Sequence, residues 1–144
     1  MGTQVQVVFD CTDPDRMAHF WATALGYKLD DPPEGFETWD AFLDSVGVPP
    51  EHRNDASAIS DPEKTGPRIY FQRVPEPKTV KNRVHLDLNV GGGRKAPLEE
   101  RKQRIAAAVE RLREAGATRV GELQTDHEYH VAMQDVEGNE FDLQ

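Results

Sequence analysis

The chain alternates between two hydrophobic periods. Val5, Val7 and Phe9 alternate with Gln6, Val8 and Asp10, the period of two that marks a strand with one apolar face. Asp13-Pro14-Asp15 then opens a helix: Asp13 suits the N-cap, Pro14 the first turn and Asp15 the positive end of the helix dipole. Met17, Phe20, Trp21 and Ala24 recur at helical spacing, Gly26 supplies a left-handed cap, and Tyr27 to Asp30 returns as a short strand. Pro32-Pro33-Glu34-Gly35 breaks the chain. Trp39, Phe42, Leu43 and Val46 form a second helical stripe, capped by Thr38, in an insertion over about 36–48. Strands are expected over Ala56–Ser60 and Arg68–Val74, the latter with Ile69 and Phe71 on one face and Tyr70 and Gln72 on the other.

The order then starts again. Val84, Leu86, Leu88 and Val90 alternate with His85, Asp87 and Asn89. Gly91-Gly92-Gly93 reads as a hinge-like exit, and Pro97 opens a long helix carrying Leu98, Ile105, Val109 and Leu112. Thr118–Leu123, Tyr129–Gln134 and Asn139–Leu143 read as three strands, the last two turning at Glu137-Gly138. Both halves therefore run strand, long helix, three strands, and an internal repeat governs the fold. Module one covers about 1–78 and module two about 79–144. An α+β architecture of paired βαβββ modules follows, a curved, barrel-like sheet with helices outside. In this reading Gln6 matches His85, and Phe71-Gln72 matches Phe141-Asp142. The polar strand faces, with Gln6, Tyr70, Gln72, His85, Asp87, Glu140 and Asp142, line the concave side.

Composition narrows the function classes. A hydrophobic content of 37% and a charged content of 30% suit a globular domain. The formal net charge of −9 repels phosphate backbones, which argues against a nucleic-acid partner. No apolar run reaches membrane-span length, no signal-peptide pattern is visible, and the single Cys11 forms no internal disulfide, so a cytoplasmic protein is expected. Lys78, Lys81 and Arg83 are expected to be a solvated basic loop.

Phe9-Asp10-Cys11-Thr12-Asp13-Pro14, with Phe20-Trp21 and Leu25-Gly26-Tyr27, resembles the opening of the vicinal oxygen chelate superfamily. That superfamily includes glyoxalase I, extradiol dioxygenases and the fosfomycin and bleomycin resistance proteins. Arg68 to Lys78, Lys81 to Asp87 and Met133 to Phe141 are similar to its glyoxalase-like proteins of actinobacterial type. The resemblance implies a cavity with up to four metal-ligand places, which fall here on Gln6, Gln72, His85 and Asp142. It also implies a homodimer. His85 is a good ligand for zinc, iron, manganese or nickel and Asp142 an acceptable one, whereas Gln6 and Gln72 offer only neutral amide oxygens, so any divalent metal would be weakly held. Glyoxalase I chemistry needs a carboxylate base beside the metal, and Gln72 in that place argues against it.

Asp87, two residues from His85, projects from the same strand face and can orient the imidazole. A metal-free acid–base pair is thus a second mechanism. The expected function is an enzyme acting on a small oxygenated metabolite by isomerase, lyase or dioxygenase chemistry, with His85, Asp87 and Asp142 catalytic and Gln6, Gln72 and Tyr70 binding the ligand. The alternative is a small-molecule-binding, drug-sequestering protein without turnover. Against both stands the simpler view that a polar strand face is merely wet. His127 and His130, His19 and His52 are expected to be inert, and Cys11 packed. Trp39, Phe42 and Leu43 form either a lid over the cavity or a contact at a sheet edge or dimer interface.

Overall fold

A computed structural model describes all 144 residues. The chain divides into two compact units, Met1–Pro77 and Lys78–Gln144.

In the first unit, β1 (Val7–Cys11), α1 (Pro14–Leu25), β2 (Lys28–Leu29), α2 (Trp39–Ser45), β3 (Ala56–Ser60) and β4 (Ile69–Arg73) follow in order, with a short 3₁₀ turn at Pro50–His52 before β3. The sheet order is β1-β4-β3-β2, with β1 parallel to β4 and the other pairs antiparallel. α1 forms where the caps call for it. Asp13 accepts from the Arg16 backbone N–H, and Gly26 turns left-handed at φ 69°, which only glycine adopts at little cost. Asn54 splints this N-terminus: its amide donates to Asp13 at 2.8 Å, and its carbonyl accepts from the Asp15 N–H at 2.8 Å. The Asn54 hydrogen bond holds the Asp13 carboxyl below its ordinary value against the opposing effect of burial. Met17, Phe20, Trp21 and Ala24 are buried, as are Ile59, Ile69 and Phe71 on the sheet. The half-buried Phe9 packs on them, its ring 5.2 Å from Trp21 and 5.5 Å from Phe71. Each such large apolar side chain contributes about 1.5–3 kcal/mol on burial.

In the second unit, β5 (Leu86–Leu88), α3 (Leu98–Glu114), β6 (Thr118–Gln124), β7 (Tyr129–Gln134) and β8 (Glu140–Leu143) form a sheet of order β5-β8-β7-β6, again with the outer pair β5 and β8 parallel. The topology repeats that of the first unit strand for strand. Ile105, Ala108, Val109 and Leu112 of α3 are buried, as are Leu88, Val131, Met133, Phe141 and Leu143 of the strands. The β7–β8 turn is fixed by the buried Asp135, which accepts from the Glu137 and Asn139 backbone N–H groups and from the Asn139 amide.

Three expectations shift. β1 starts at Val7 rather than Val5, because its partner β4 is preceded by Pro67, which has no N–H for the ladder. β5 is shorter than the 84–90 alternation suggests. Asn82 folds back onto β8, its amide donating to the Glu140 carbonyl at 3.2 Å, and Val84 is left 80% exposed. The glycine run is fastened rather than loose at its first residue: Gly91 is buried, its N–H donates to the Gln144 carbonyl at 2.9 Å, and its carbonyl accepts from Arg104.

Candidate functional site

The parallel pairing of β5 with β8 sets Asp87 directly beside Asp142. His85 lies two residues before Asp87, so the pleat turns it to the same face. Its Nε2 is 3.3 Å from Asp87 Oδ1 and 3.5 Å from Asp142 Oδ2. One donor atom from each of the three residues falls within 4.8 Å of the others. The side chains of His85 and Asp87 are 44% exposed and that of Asp142 is 24% exposed, so the group is open to a ligand yet part of the sheet wall. Asp142 lines two cavities of this unit. One, of about 260 Å³, also takes in Asp87, Asn89, Arg101 and His130. The other, of about 190 Å³, takes in Lys81, His85 and Glu140. Glu140 is pinned beside the group. Its carboxyl lies below its ordinary value although burial pushes it up, because it accepts from the Asn82 backbone N–H at 3.0 Å and pairs with Lys78 at 3.1 Å. Lys78 lies on an exposed loop, as expected, and offsets the Glu140 charge there.

The donor set fits a divalent cation. One imidazole nitrogen and two carboxylate oxygens are ordinary ligands for zinc or manganese. Metal–ligand bonds of about 2.0–2.2 Å in a tetrahedral site put neighbouring donors about 3.4 Å apart, and the two imidazole–carboxylate separations match that spacing. Asp87, expected to be catalytic and to orient the imidazole but not to bind a metal, stands as a ligand candidate equal to Asp142.

The first unit carries the other expected positions differently. Gln6 precedes β1, and its Oε1, the atom that would bind a metal, accepts from the Arg68 guanidinium at 3.0 Å. Gln72 donates to Asp10 Oδ1 at 2.7 Å. The registers correct the match between modules. Val7 pairs with Ile69 as Leu86 pairs with Phe141, so if Gln6 matches His85, the counterpart of Asp142 is Tyr70 and not Gln72. Gln72 instead corresponds to Gln144, whose amide donates to Asn89 at 2.8 Å as Gln72 does to Asp10. A shift of two residues keeps the strand face, which is why alternation alone did not expose it.

The first unit also holds a cavity of about 680 Å³, which takes in Tyr70, expected to bind the ligand. Its walls include Ala58 and Tyr70 of the sheet and Trp39 and Leu43 of α2. Thr38 caps α2 by accepting from the Ala41 N–H, and Trp39 Nε1 donates to the Asp30 carbonyl at 2.8 Å. Arg53 ties α2 to the next segment through Asp40 at 3.3 Å, Asp44 and the Val48 carbonyl. Phe42 packs edge-on against Phe36 and Trp39 rather than lining the space. Asp30 anchors the floor, accepting from Ser60 Oγ at 2.6 Å and Arg68 Nε at 2.8 Å. His52, expected to be an inert loop residue, lines this cavity and lies 3.0 Å from Asp55. Cys11 is buried as expected.

Two βαβββ units of identical strand order, with a polar group on the open face of one, define a glyoxalase-type fold. The sequence matches the glyoxalase-like domain family over residues 6–144, and the chain belongs to that family. No curated protein matches it. Solved structures that share the fold lie in the same superfamily. A glyoxalase/bleomycin resistance protein/dioxygenase family enzyme from Burkholderia phytofirmans PsJN is 16% identical, with 96% of this chain and 94% of that one covered at a TM-score of 0.59. TioX from Micromonospora sp. ML1 is 18% identical over 99% and 97% at a TM-score of 0.54. A variant of the fosfomycin resistance protein FosX from Listeria monocytogenes, complexed with Mn(II) and dihydroxypropylphosphonic acid, is 8% identical over 99% and 91% at a TM-score of 0.64. No helix of the chain is long and apolar enough to cross a membrane.

Proposed function

We propose that the chain is an enzyme acting on a small oxygenated metabolite, with His85, Asp87 and Asp142 as its reacting centre. The observation that carries this reading is the position of one imidazole nitrogen 3.3 and 3.5 Å from two carboxylates on a single sheet face. Such a trio can hold a divalent cation, which when bound would polarise a substrate carbonyl or hydroxyl. The protein's own contribution is independent of that. Asp87 and Asp142 fix the imidazole at Nε2, which leaves Nδ1 of His85 to take or give a proton to a substrate oxygen or adjacent carbon. Arg101, Asn89 and His130 around Asp142 offer polar contacts for substrate oxygens. The Mn(II) complex of the FosX variant supports the metal-assisted form by analogy of fold. Glyoxalase I activity is not part of the proposal, because neither Gln72 nor Tyr70, the first-unit matches to Asp142 by sequence pattern and by register, supplies a carboxylate base.

The test combines Mn(II) binding, followed by electron paramagnetic resonance, with a turnover screen of small carbonyl and phenolic compounds. His85→Ala should weaken Mn(II) binding at least tenfold and lower turnover by about 10²-fold or more. Turnover that needs no metal yet falls in His85→Ala selects the acid–base form. Turnover that survives His85→Ala refutes the centre.

A further inference from the structure

The cavity of the first unit has a charge imbalance that its own side chains do not cancel. Its wall carries four carboxylates, Asp15, Asp30, Asp40 and Asp55, against two guanidiniums, Arg53 and Arg68. The guanidiniums are committed: Arg68 to Asp30 at 2.8 Å and Arg53 to Asp40 at 3.3 Å. Asp15 and Asp55 remain without a guanidinium from the wall. Their ion-pair neighbours are His19 and His52, at 3.4 and 3.0 Å, and for Asp55 also Arg73, outside the wall, at 3.5 Å. The rest of the lining is mostly apolar or aromatic. Trp39 and Leu43 come from α2, and Tyr70 comes from the sheet, its ring already faced by the Arg68 guanidinium at 5.6 Å. A volume of about 680 Å³ is in the range that encloses a drug-sized molecule.

We infer that this cavity is a second binding site, for an amphipathic aromatic molecule carrying one positive charge. Its ring system lies against Trp39, Leu43 and Tyr70, and its cationic end faces Asp15 and Asp55. A ring of this kind gains apolar burial from all three and cation–π attraction from Trp39. An anion of the same shape meets the exposed carboxylates of Asp15 and Asp55 at close range, a repulsion that salt screens. All of the lining residues belong to the first unit, so the site stands independently of the His85 centre.

The probes are two dyes with the same xanthene core, rhodamine 6G as the cation and fluorescein as the anion, titrated into the full chain and read by dye anisotropy. Rhodamine 6G should bind at least tenfold more tightly than fluorescein. Equal binding of the two overturns the charge assignment. The chain's net charge of −9 attracts any cation loosely, so a neutral variant isolates the cavity. Ala56 is exposed at the cavity wall, and Ala56→Trp should reduce rhodamine 6G binding at least tenfold while circular dichroism stays that of the parent. Retained binding in that variant places the dye elsewhere and overturns the site. If Ala56→Trp fails to fold, Asp55→Asn gives the same decision. It should weaken rhodamine 6G by about threefold to tenfold and leave fluorescein unchanged or tighter, and an unchanged rhodamine 6G affinity overturns the proposal.

Discussion

Single side chains in this protein are set by local hydrogen bonding more than by depth. Asp61 shows it. Its carboxylate accepts from Thr65 Oγ1 at 2.7 Å and from the backbone N–H groups of Glu63, Thr65 and Gly66 at 2.9, 3.1 and 2.8 Å. The Thr65 hydroxyl is the largest of the influences that bring its pKa down to about 2. The folded value lies below the unfolded one, so the Asp61 contribution to stability is complete above about pH 4 and is lost as pH falls toward 2. Carbon-detected NMR titration of the Asp61 carboxyl should give a midpoint near 2 that rises in Thr65→Ala; an ordinary midpoint in the parent would show that the turn does not hold in solution. At the same scale the sequence was informative about His85, Asp87 and Asp142, because strand alternation and a two-residue spacing put all three on one face. It was silent about Arg68 and Arg53. Their partners Gln6, Asp30, Asp40 and Asp44 lie far off along the chain or on the preceding helix α2, and no local period encodes such pairings.

At the level of elements, caps and turns were legible and registers were not. Asp13, Gly26 and Thr38 act through contacts within a few residues, so the residue types announce them. The offset between β1 and β4 depends on Pro67 and on the loop that precedes it, and the two-residue error over Gln72 changes no face and breaks no alternation. Asp135 carries the clearest prediction here. It is 3% exposed and holds the β7–β8 turn by hydrogen bonds to Glu137 and Asn139. Asp135→Ala leaves those N–H groups in want of an acceptor and should cost about 1–3 kcal/mol in urea denaturation. Because β8 carries Asp142, the same variant should also weaken Mn(II) binding. A destabilised variant that keeps full Mn(II) affinity would show that the turn does not position the strand. α2 offers a contrasting case. None of its residues is buried, and it is held by Arg53 and the Trp39 indole. Arg53→Ala should therefore leave overall stability within about 1 kcal/mol while raising the amide exchange of residues 39–45. Unchanged exchange there would mean that the tether is not what holds the helix.

Across the whole molecule, the duplicated topology carries two different open faces. The second unit places titratable donors on its open face, and the first has Gln6, Val8 and Tyr70 at the matching places and adds an inserted helix that lines a cavity. This division could not be read from the repeat itself, since the repeat fixes strand order and leaves the open faces free to diverge. It has a measurable consequence. The three donor residues span only 85–142, so a bound divalent cation stabilises the second unit directly. At a Mn(II) concentration of 100 times its Kd, linkage gives about 2.7 kcal/mol to any opening that breaks the site. Hydrogen exchange with added Mn(II) should therefore slow Leu86–Leu88 and Glu140–Leu143 by up to about a hundredfold, the slowing that this free energy sets for openings that expose the site. Ala56–Ser60 in the first unit should change little by comparison. Equal slowing in both units would mean that the cation is read by the whole chain as one cooperative body. No slowing in β5 and β8 would mean that the three donors do not bind it.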